Sequence, residues 1–294
     1  MSDTSLPEAL EGQALDGRAS SASATKALAG GVKPRRWGSW YVAEHRIRSM
    51  RAYLQTIAVT AVGTPLGYMV AFGLGLGMLV DANTGGGGVG GVDYLDYLAP
   101  ALLASAAVTV AAEECTYPMM MGFKWNPIFF AMNAAPISGK QVANGMTIAV
   151  LARMLPTVII YFVIILIFGA AESPWSWLAI IIATLTGMAV GLVIMPYTAS
   201  IEQDKGQMAM IQRFGILPMF LFSGTFFPFE QLPTYLQWIG WISPLWHGSQ
   251  LGRVATFGLA EPIWLTVIHV VYLVALCVLG LLLTQRVVSR RLNK

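Results

Sequence analysis

The sequence is 294 residues long, with 56% hydrophobic residues, only 11% charged residues and a net charge of +3 at pH 7. One soluble core of this size could not bury so much apolar surface, so the composition excludes an ordinary soluble domain and indicates a chain embedded in lipid. Cys115 and Cys277 both fall inside apolar blocks, which favours small buried side chains over a disulfide.

The apolar residues come in blocks long enough to cross a bilayer, which takes about 20 helical residues. They predict an all-α integral membrane fold with six transmembrane helices, near residues 56–80, 97–121, 143–168, 177–199, 211–228 and 263–285. Residues 1–36 are rich in Ala, Ser and Gly and have no periodic apolar pattern, so we expect a disordered cytoplasmic tail there. Residues 37–294 would form the transmembrane domain.

A separate helix is predicted just before the first span, at residues 37–54. Its apolar residues recur at helical spacing, while Arg46, Arg48 and Arg51 fall mainly elsewhere around the helix. This pattern favours an interfacial helix on the inner leaflet, with its arginines near anionic headgroups. A basic flank of the first span is the simpler alternative.

The basic residues lie on one side of the predicted topology: before span one, between spans two and three, near the join of spans four and five, and at the C-terminal end. The opposite loops carry Asp81, Asp93, Asp96 and Glu172, and no Lys or Arg until Arg253. The positive-inside rule therefore places both termini in the cytoplasm.

The stretch FSGTFFPFEQLP, residues 222–233, lies where the fifth span should leave the membrane, yet the chain stays apolar after it. A further full span would place the basic C-terminal end outside. Repeated Gly and Pro also break the path, and non-helical backbone at membrane depth survives only inside protein or beside a wet cavity. We therefore predict outer re-entrant helices before the last span, although an ordinary aromatic belt explains the Trp residues there equally well.

The loop between spans two and three is predicted to contain a short cytoplasmic helix, which begins after Pro127 and ends before Pro136. Its side chains are too apolar for a freely solvated loop. They comprise Ile128, Phe129, Phe130 and Met132, followed by Asn133. The loop either docks on a partner or packs back on the protein's own inner surface or on lipid, and composition favours neither.

Three charged residues lie inside predicted spans: Glu113 and Glu114 in the second, and Arg153 in the third. An uncompensated charge at the bilayer centre costs roughly 2.5–3.5 kcal/mol, so such residues normally have a partner. The neighbouring antiparallel helices predict a Glu114–Arg153 or a Glu113–Arg153 pair. Such a pair would be either a polar element of a substrate path or an anchor between two helices.

The sequence carries no catalytic motif, and we predict no catalytic residue and no metal site. His45, His247 and His269 are far apart in the sequence, and no HExxH, GxSxG or zinc-binding spacing occurs. The sequence also contains no GxxxxGK[ST], so any ATP hydrolysis by P-loop chemistry would need a separate subunit.

Several stretches together resemble the ABC-2 type permeases, in particular the group of daunorubicin-resistance and nodulation-factor export permeases. They are YLDYLAPALLASAAVTVAAEE in span two, APIS before span three, and LFSGTFFPFEQLP…ISPLWHGSQLGR before the last span. The resemblance covers residue 37 to the C-terminus. Its most specific part is an SG and a Pro after span five, an LP, then PLxH and an Arg. These residues are Ser223, Gly224, Pro228, Pro233, Pro244, His247 and Arg253.

The resemblance implies a membrane subunit, and not an enzyme, that sits in the bacterial plasma membrane and pairs with a second permease chain, identical or paralogous. Each permease would bind a separate cytoplasmic ATPase, which would hold ATP and Mg²⁺. This chain would bind no cofactor and no nucleic acid. The helix at Pro127–Asn133 would be the coupling helix, and the outer re-entrant helices, with Phe226 and Phe227, would form the gate.

The expected function is export of an amphiphile such as a drug, a glycolipid or a lipid-linked saccharide. The main alternative is a proton-coupled secondary transporter in which Glu113 or Glu114 carries the proton. An intramembrane enzyme is disfavoured, because no nucleophile or metal set is assembled in the sequence.

Overall fold

The computed structural model describes residues 6–83, 88–89 and 91–294. Within these residues the chain is helical, with an isolated β-bridge between Val89 and Val92. In chain order the helices are α1 (Leu6–Met50), α2 (Leu54–Tyr68), α3 (Gly77–Asn83), α4 (Tyr94–Met120), α5 (Ile128–Ala134), α6 (Gly139–Ile167), α7 (Leu178–Ser200), α8 (Gln207–Met210), α9 (Leu217–Phe222), α10 (Thr234–Ile242), α11 (Pro244–Phe257) and α12 (Ile263–Leu292). Three π-helical stretches, at Met69–Leu76, Met121–Trp125 and Ile211–Ile216, continue α2, α4 and α8.

Five helical stretches are long and apolar enough to cross a membrane. They are Arg35–Val80, Tyr94–Trp125, Gly139–Ile167, Leu178–Ser200 and Ile263–Leu292. They include the regions predicted as spans one, two, three, four and six. An all-α integral membrane fold is therefore confirmed.

The region predicted as the fifth span, residues 211–228, is helical only in part. The helical run begins at Gln207 and ends at Phe222, and it is shorter than the about 20 residues that a straight span needs. Gly224 then adopts a left-handed conformation, with φ of +67°, and the chain leaves the helix. The prediction therefore placed the end of this helix several residues too late.

Helix α1 begins at Leu6, in place of the disordered tail predicted for residues 1–36. Alanine is frequent in this stretch and has the highest intrinsic helix propensity. The prediction relied on the missing apolar periodicity, which carries no information about propensity. Residues 1–5 lie outside the described part of the chain.

The end of α1 includes most of the interfacial helix predicted over residues 37–54, and one face of it packs on protein while Trp37 and Trp40 are exposed. Val42 and Ala43 are buried, and a Cβ at Gly145 of α6 would lie 2.5 Å from the side chain of Val42. Helix α1 ends at Met50, and a 3₁₀ turn at Arg51–Tyr53 leads into α2.

Helix α4 is the centre of the fold, and it packs against α6, α7 and α11. Small residues allow these helices to approach closely, as is common in membrane proteins. An added Cβ at Gly187 of α7 would lie 2.8 Å from the Ala107 carbonyl oxygen, and one at Gly280 of α12 would overlap the Leu192 carbonyl oxygen. The two cysteines are free.

Candidate functional site

A cavity of about 410 Å³ lies between α2, α4, α6 and the helical run that ends in α9. Its wall combines polar with apolar side chains. The polar ones are Thr60, Thr64, Ser105, Thr109, Glu113, Arg153, Thr157 and Gln212, and the apolar ones include Tyr68, Leu102, Leu217 and Phe220. Charged and hydroxyl groups at this depth must face protein or water, because lipid offers them no hydrogen bonds.

Glu113 and Arg153 both line this cavity, and they are near enough to interact electrostatically. Arg153 Nη1 donates to Thr157 Oγ1 at 2.9 Å, on the same helix. Gln212 Nε2 is buried at the cavity wall and has no hydrogen-bond partner in the structure. The cavity therefore presents one acid, one base and an unused amide donor beside aromatic and aliphatic carbon.

The predicted pairing of Glu114 with Arg153 is wrong. Arg46 Nη2 on α1 donates to Glu114 Oε2 at 2.8 Å, and both side chains are largely buried. Adjacent residues of a helix point about 100° apart, so Glu114 faces α1 while Glu113 faces the cavity. Glu114 is thus held in an ion pair that joins α1 to α4.

Helix α5 buries part of its apolar surface against the protein itself, which is one of the two alternatives that the sequence left open. Phe129 is 3% exposed, and its ring meets that of Phe123 edge to face with centroids 5.0 Å apart. Asn133 Nδ2 donates to the Leu292 carbonyl at 3.3 Å, while Ile128 and Met132 are half-buried.

Three other residues of this loop are exposed to solvent. Trp125 is 52% exposed and Phe130 43% exposed, and Pro127, which precedes the first turn of α5, is exposed as well. Of the two alternatives left by the sequence, packing on the protein's own surface describes Phe129, whereas Phe130 and Trp125 form an apolar surface without cover in a single chain. We call Trp125, Pro127 and Phe130 the exposed loop surface.

The outer segment, residues 223–257, is organised around Arg253, which is 1% exposed. Its Nη2 donates to the Gly224 carbonyl at 2.6 Å and its Nε to the Tyr97 carbonyl at 3.2 Å. The guanidinium also lies 3.7 Å from the centre of the Tyr97 ring, and Tyr97 OH donates to the Gly224 carbonyl at 3.2 Å. Arg253 therefore fixes the chain reversal after α9 against the start of α4.

Other residues of the predicted gate stabilise the same reversal. Ser223 Oγ and Ser243 Oγ are 2.5 Å apart. The ring of Phe226 packs against Phe72 and Phe220, with centroids 5.2 and 4.9 Å away. Phe227 is half-buried against the cluster that contains Trp246.

The three prolines of the segment stand where helices begin. Pro228 precedes the 3₁₀ turn at Phe229–Gln231, Pro233 precedes α10, and Pro244 is the first residue of α11. At such positions the missing N–H has no intrahelical partner to lose.

The structure brings together two histidines that are distant in the sequence. His247 Nδ1 on α11 lies 2.6 Å from His269 Nδ1 on α12, and His269 Nε2 lies 3.1 Å from Glu261 Oε1. His247 Nε2 is 3.1 Å from the Trp241 carbonyl oxygen. Burial lowers the pKa of His247 from 6.5 to about 4, an effect that this carbonyl opposes and that His269 reinforces. Sequence reasoning missed the cluster, because no local motif joins these residues.

No group of three or more His, Cys, Asp or Glu side chains within the described part of the chain could hold a metal ion.

The features of the site are a polar cavity among spanning helices, an exposed apolar loop at one end and a proline-broken segment at the other. Together with the fold, they define the membrane subunit of a transporter. The model of the ABC-2 type transporter family matches residues 40–257, and the chain belongs to this family.

The chain is also similar to several curated bacterial proteins. It is 29% identical over 233 residues to "Nodulation protein J" of Neorhizobium galegae. The aligned region covers 78% of this chain and 84% of that protein. It is 30% identical over 237 residues to the protein of that name from Rhizobium leguminosarum bv. trifolii, with the same two shares. The resemblance to ABC-2 type permeases that the sequence motifs indicated is thereby confirmed.

Proposed function

We propose that the chain is the membrane subunit of an ATP-driven exporter that moves an amphiphilic substrate across the bacterial plasma membrane. The observation that carries this proposal is the cavity between α2, α4, α6 and α9. Its hydroxyl, amide and charged groups suit a polar head, and its Tyr68, Leu217 and Phe220 side suits an apolar tail. A drug, a glycolipid or a lipid-linked saccharide has this chemistry.

A second permease chain, identical or paralogous, would cover the open side of the cavity. Thr64, Thr109 and Glu113 are exposed in the single chain although they lie on helices long enough to span the membrane. An exposed carboxylate would be costly against lipid, so a protein neighbour or a wet path enclosed by one is expected there. The family resemblance supports pairing of this kind.

ATP would enter through a separate cytoplasmic ATPase that binds the exposed loop surface. Trp125 and Phe130 are aromatic residues of the kind that anchors protein interfaces, and they lie at the end that the basic residues place in the cytoplasm. ATP and Mg²⁺ would be held by that partner. Closure of the ATPases would shift the permease between inward-facing and outward-facing packings through the difference in binding free energy between the two states.

The test begins with purification of the tagged permease in mild detergent and identification of any co-purifying chain that carries a Walker A sequence. The complex is then reconstituted in vesicles, and ATP-dependent transfer of a fluorescent glycolipid between leaflets is measured. Thr64→Trp, which fills the cavity, should abolish transfer and leave assembly intact. The matched control is Val271→Trp on the exposed face of α12, which should retain transfer.

Transfer driven by a proton gradient in the absence of ATP and of the ATPase would contradict the proposal and favour the proton-coupled alternative. Glu113 would then be the residue to change, because Glu114 is held by Arg46.

A further inference from the structure

A continuous chain of three polar contacts, buried at its centre, joins the outer segment to the start of α12. It runs from the Trp241 carbonyl at the end of α10, through His247 and His269, to the Glu261 carboxyl group. His247 is 4% exposed and His269 is fully buried, and the Glu261 side chain is 8% exposed. The two histidines at the centre of this chain therefore have little access to water to replace a contact that is lost.

Each of the three contacts needs one hydrogen. The Trp241 carbonyl can only accept, so His247 Nε2 must carry a hydrogen and donate to it. One of the two facing Nδ1 atoms must carry a hydrogen, since two lone pairs 2.6 Å apart would repel each other. The contact between His269 Nε2 and Glu261 Oε1 also needs one hydrogen between two acceptors.

The three contacts thus need three hydrogens, whereas two neutral imidazoles and a carboxylate supply only two. We propose that Glu261, His269 and His247 form a binding site for a single proton, and that this proton completes the contacts by which α12 holds the end of α10. In the occupied site His269 donates from both nitrogens, to Glu261 and to neutral His247. The cluster then has no net charge, which suits its burial.

Loss of the proton breaks the chain in every arrangement of the remaining hydrogens. If His269 keeps its hydrogen on Nδ1, the lone pair of its Nε2 faces the Glu261 carboxylate. If the hydrogen moves to Nε2, two lone pairs face each other between the histidines. A second proton on His247 is unfavourable, because it places an N–H on both Nδ1 atoms. The lowered pKa of His247 agrees with its neutral state in the occupied site.

Two further side chains of α12, Tyr272 and Thr266, contact members of the cluster. Tyr272 of α12 stacks on His247 with centroids 4.2 Å apart and donates its hydroxyl to the Ile242 carbonyl at 2.5 Å. Thr266 Oγ1 donates to Glu261 Oε2 at 3.1 Å. Helix α7, on the other side of α11, carries no Asp, Glu, His, Lys or Arg. The arginine of α11, Arg253, stacks on the ring of Tyr97 in α4.

Occupancy of the site would control how firmly α10 is held. Tyr235 and Trp238 on this helix are 74% and 61% exposed, and its packing is concentrated at its end, where the Trp241 ring meets Phe229 and Trp246. The carbonyls of Trp241 and Ile242 are bonded by His247 and by Tyr272. With the proton bound, hydrogen bonds connect the end of α10 to α12. With the proton removed, one of these hydrogen bonds is weakened.

The protonation pattern can be tested by nitrogen NMR of the full-length permease in lipid nanodiscs with ¹⁵N-labelled histidine side chains. His45→Gln removes the third, exposed histidine. At neutral pH we expect one histidine with both nitrogens protonated and one neutral histidine protonated at Nε2. Two neutral histidines together with an ionised Glu261, read from the ¹³C shift of its carboxyl group, would overturn the proposal. The measurement needs neither substrate nor ATPase, so its outcome is independent of the proposed transport function.

The sharpest variant is Glu261→Gln, because the Gln amide donates to His269 Nε2 and supplies the third hydrogen without an added proton. We expect loss of the doubly protonated signal and a neutral His269 with its hydrogen on Nδ1. Glu172→Gln, an exposed outer carboxylate, should leave the wild-type pattern. A doubly protonated histidine that persists in Glu261→Gln would contradict the assignment. The wild-type spectrum decides the point even if a variant does not fold.

The effect on α10 can be followed by hydrogen exchange in peptides that cover Thr234–Ile242. At neutral pH the wild-type protein and Glu261→Gln should exchange at the same rate. At the pH at which the nitrogen NMR spectrum shows that the wild-type site has lost its proton, the wild-type peptides should exchange faster than those of Glu261→Gln measured under the same conditions. Equal rates at both pH values would show that the proton does not hold α10.

Discussion

Arg46 and Glu114, 68 positions apart in the sequence, form an ion pair with 2.8 Å between Nη2 and Oε2. The contact joins the end of α1 to α4, the helix around which the fold is built. Since the two side chains are only 15% and 13% exposed, removal of either one leaves a charge with little solvent to stabilise it.

Arg46→Ala should therefore lower the stability of the purified permease. We expect a cost of about 1.5–3 kcal/mol, the range for a hydrogen bond to a charged group. Thermal unfolding in detergent measures the effect. Arg48→Ala is the matched control, since Arg48 pairs with Glu44 at the surface and should cost little. Equal losses of stability in both variants would contradict a structural role for the Arg46–Glu114 pair. The double reversal Arg46→Glu with Glu114→Arg should recover part of the stability lost in Arg46→Ala.

Arg253→Lys should destabilise the outer segment even though it keeps the charge. Lysine cannot bond the Gly224 and Tyr97 carbonyls from one planar group, nor stack in the same way on the Tyr97 ring. We expect a loss of about 1.5–3 kcal/mol in unfolding free energy and faster proteolysis between residues 223 and 243. Arg286→Lys, at an exposed site on α12, is the control. An unchanged proteolysis rate in Arg253→Lys would argue against this arrangement.

Acid should weaken the fold through His247. Because its pKa falls from 6.5 to about 4 on folding, the unfolded chain binds more protons between these two values, and stability must fall as the pH is lowered through that window. Unfolding temperatures measured from neutral pH to pH 4 test this. His247→Gln can keep both the bond to Trp241 and the one to His269, so its stability should depend less on pH over the same range. A wild-type curve as flat as that of the variant would be inconsistent with the shift.

Most of the long helices of this fold could be predicted from the sequence because the membrane requires long apolar segments. The span predicted near residues 263–285 overlaps α12, and the one near 177–199 overlaps α7, since hydropathy alone decides their presence. The end of the predicted fifth span was misplaced because Phe226 and Phe227 keep the chain apolar beyond the end of the helix. The turn there depends on Gly224, whose left-handed conformation hydropathy does not record.

The contacts of the site were harder to predict, because they join residues that are distant in the sequence. The partner of Glu114 is Arg46, and only the packing of α1 against the bundle brings Arg46 into reach. His247 and His269 meet because α11 folds back on α12. The composition of the loop between α4 and α6 indicated that its apolar side chains are covered. It did not reveal that Phe123 of the same loop covers Phe129.

Close helix packing predicts opposite outcomes for the same glycine substitution at two positions. In Gly280→Ala the new Cβ would overlap the Leu192 carbonyl oxygen, so α12 must move away from α7, at a cost of about 1–3 kcal/mol. In Gly30→Ala the Cβ meets nothing within 4 Å, and the higher helix propensity of Ala should leave stability unchanged or slightly raised. Thermal unfolding of the two variants checks this, and a tolerated Gly280→Ala would disagree with the packing of α7 and α12.

Phe129 and Phe130 are neighbours in α5 and should respond differently to the same substitution. Phe129→Asp places a carboxylate against Phe123 and Gly122, so it should lower the unfolding temperature of the permease alone. The Phe130 ring is more exposed and meets Phe123 at a larger centroid distance of 6.0 Å, so Phe130→Asp should lower that temperature much less. If the exposed loop surface binds the ATPase, Phe130→Asp should reduce the amount of co-purified ATPase roughly tenfold, which corresponds to about 1.4 kcal/mol of binding free energy. Wild-type recovery of the ATPase with Phe130→Asp, in a permease that remains folded, would rule out this loop as the docking site.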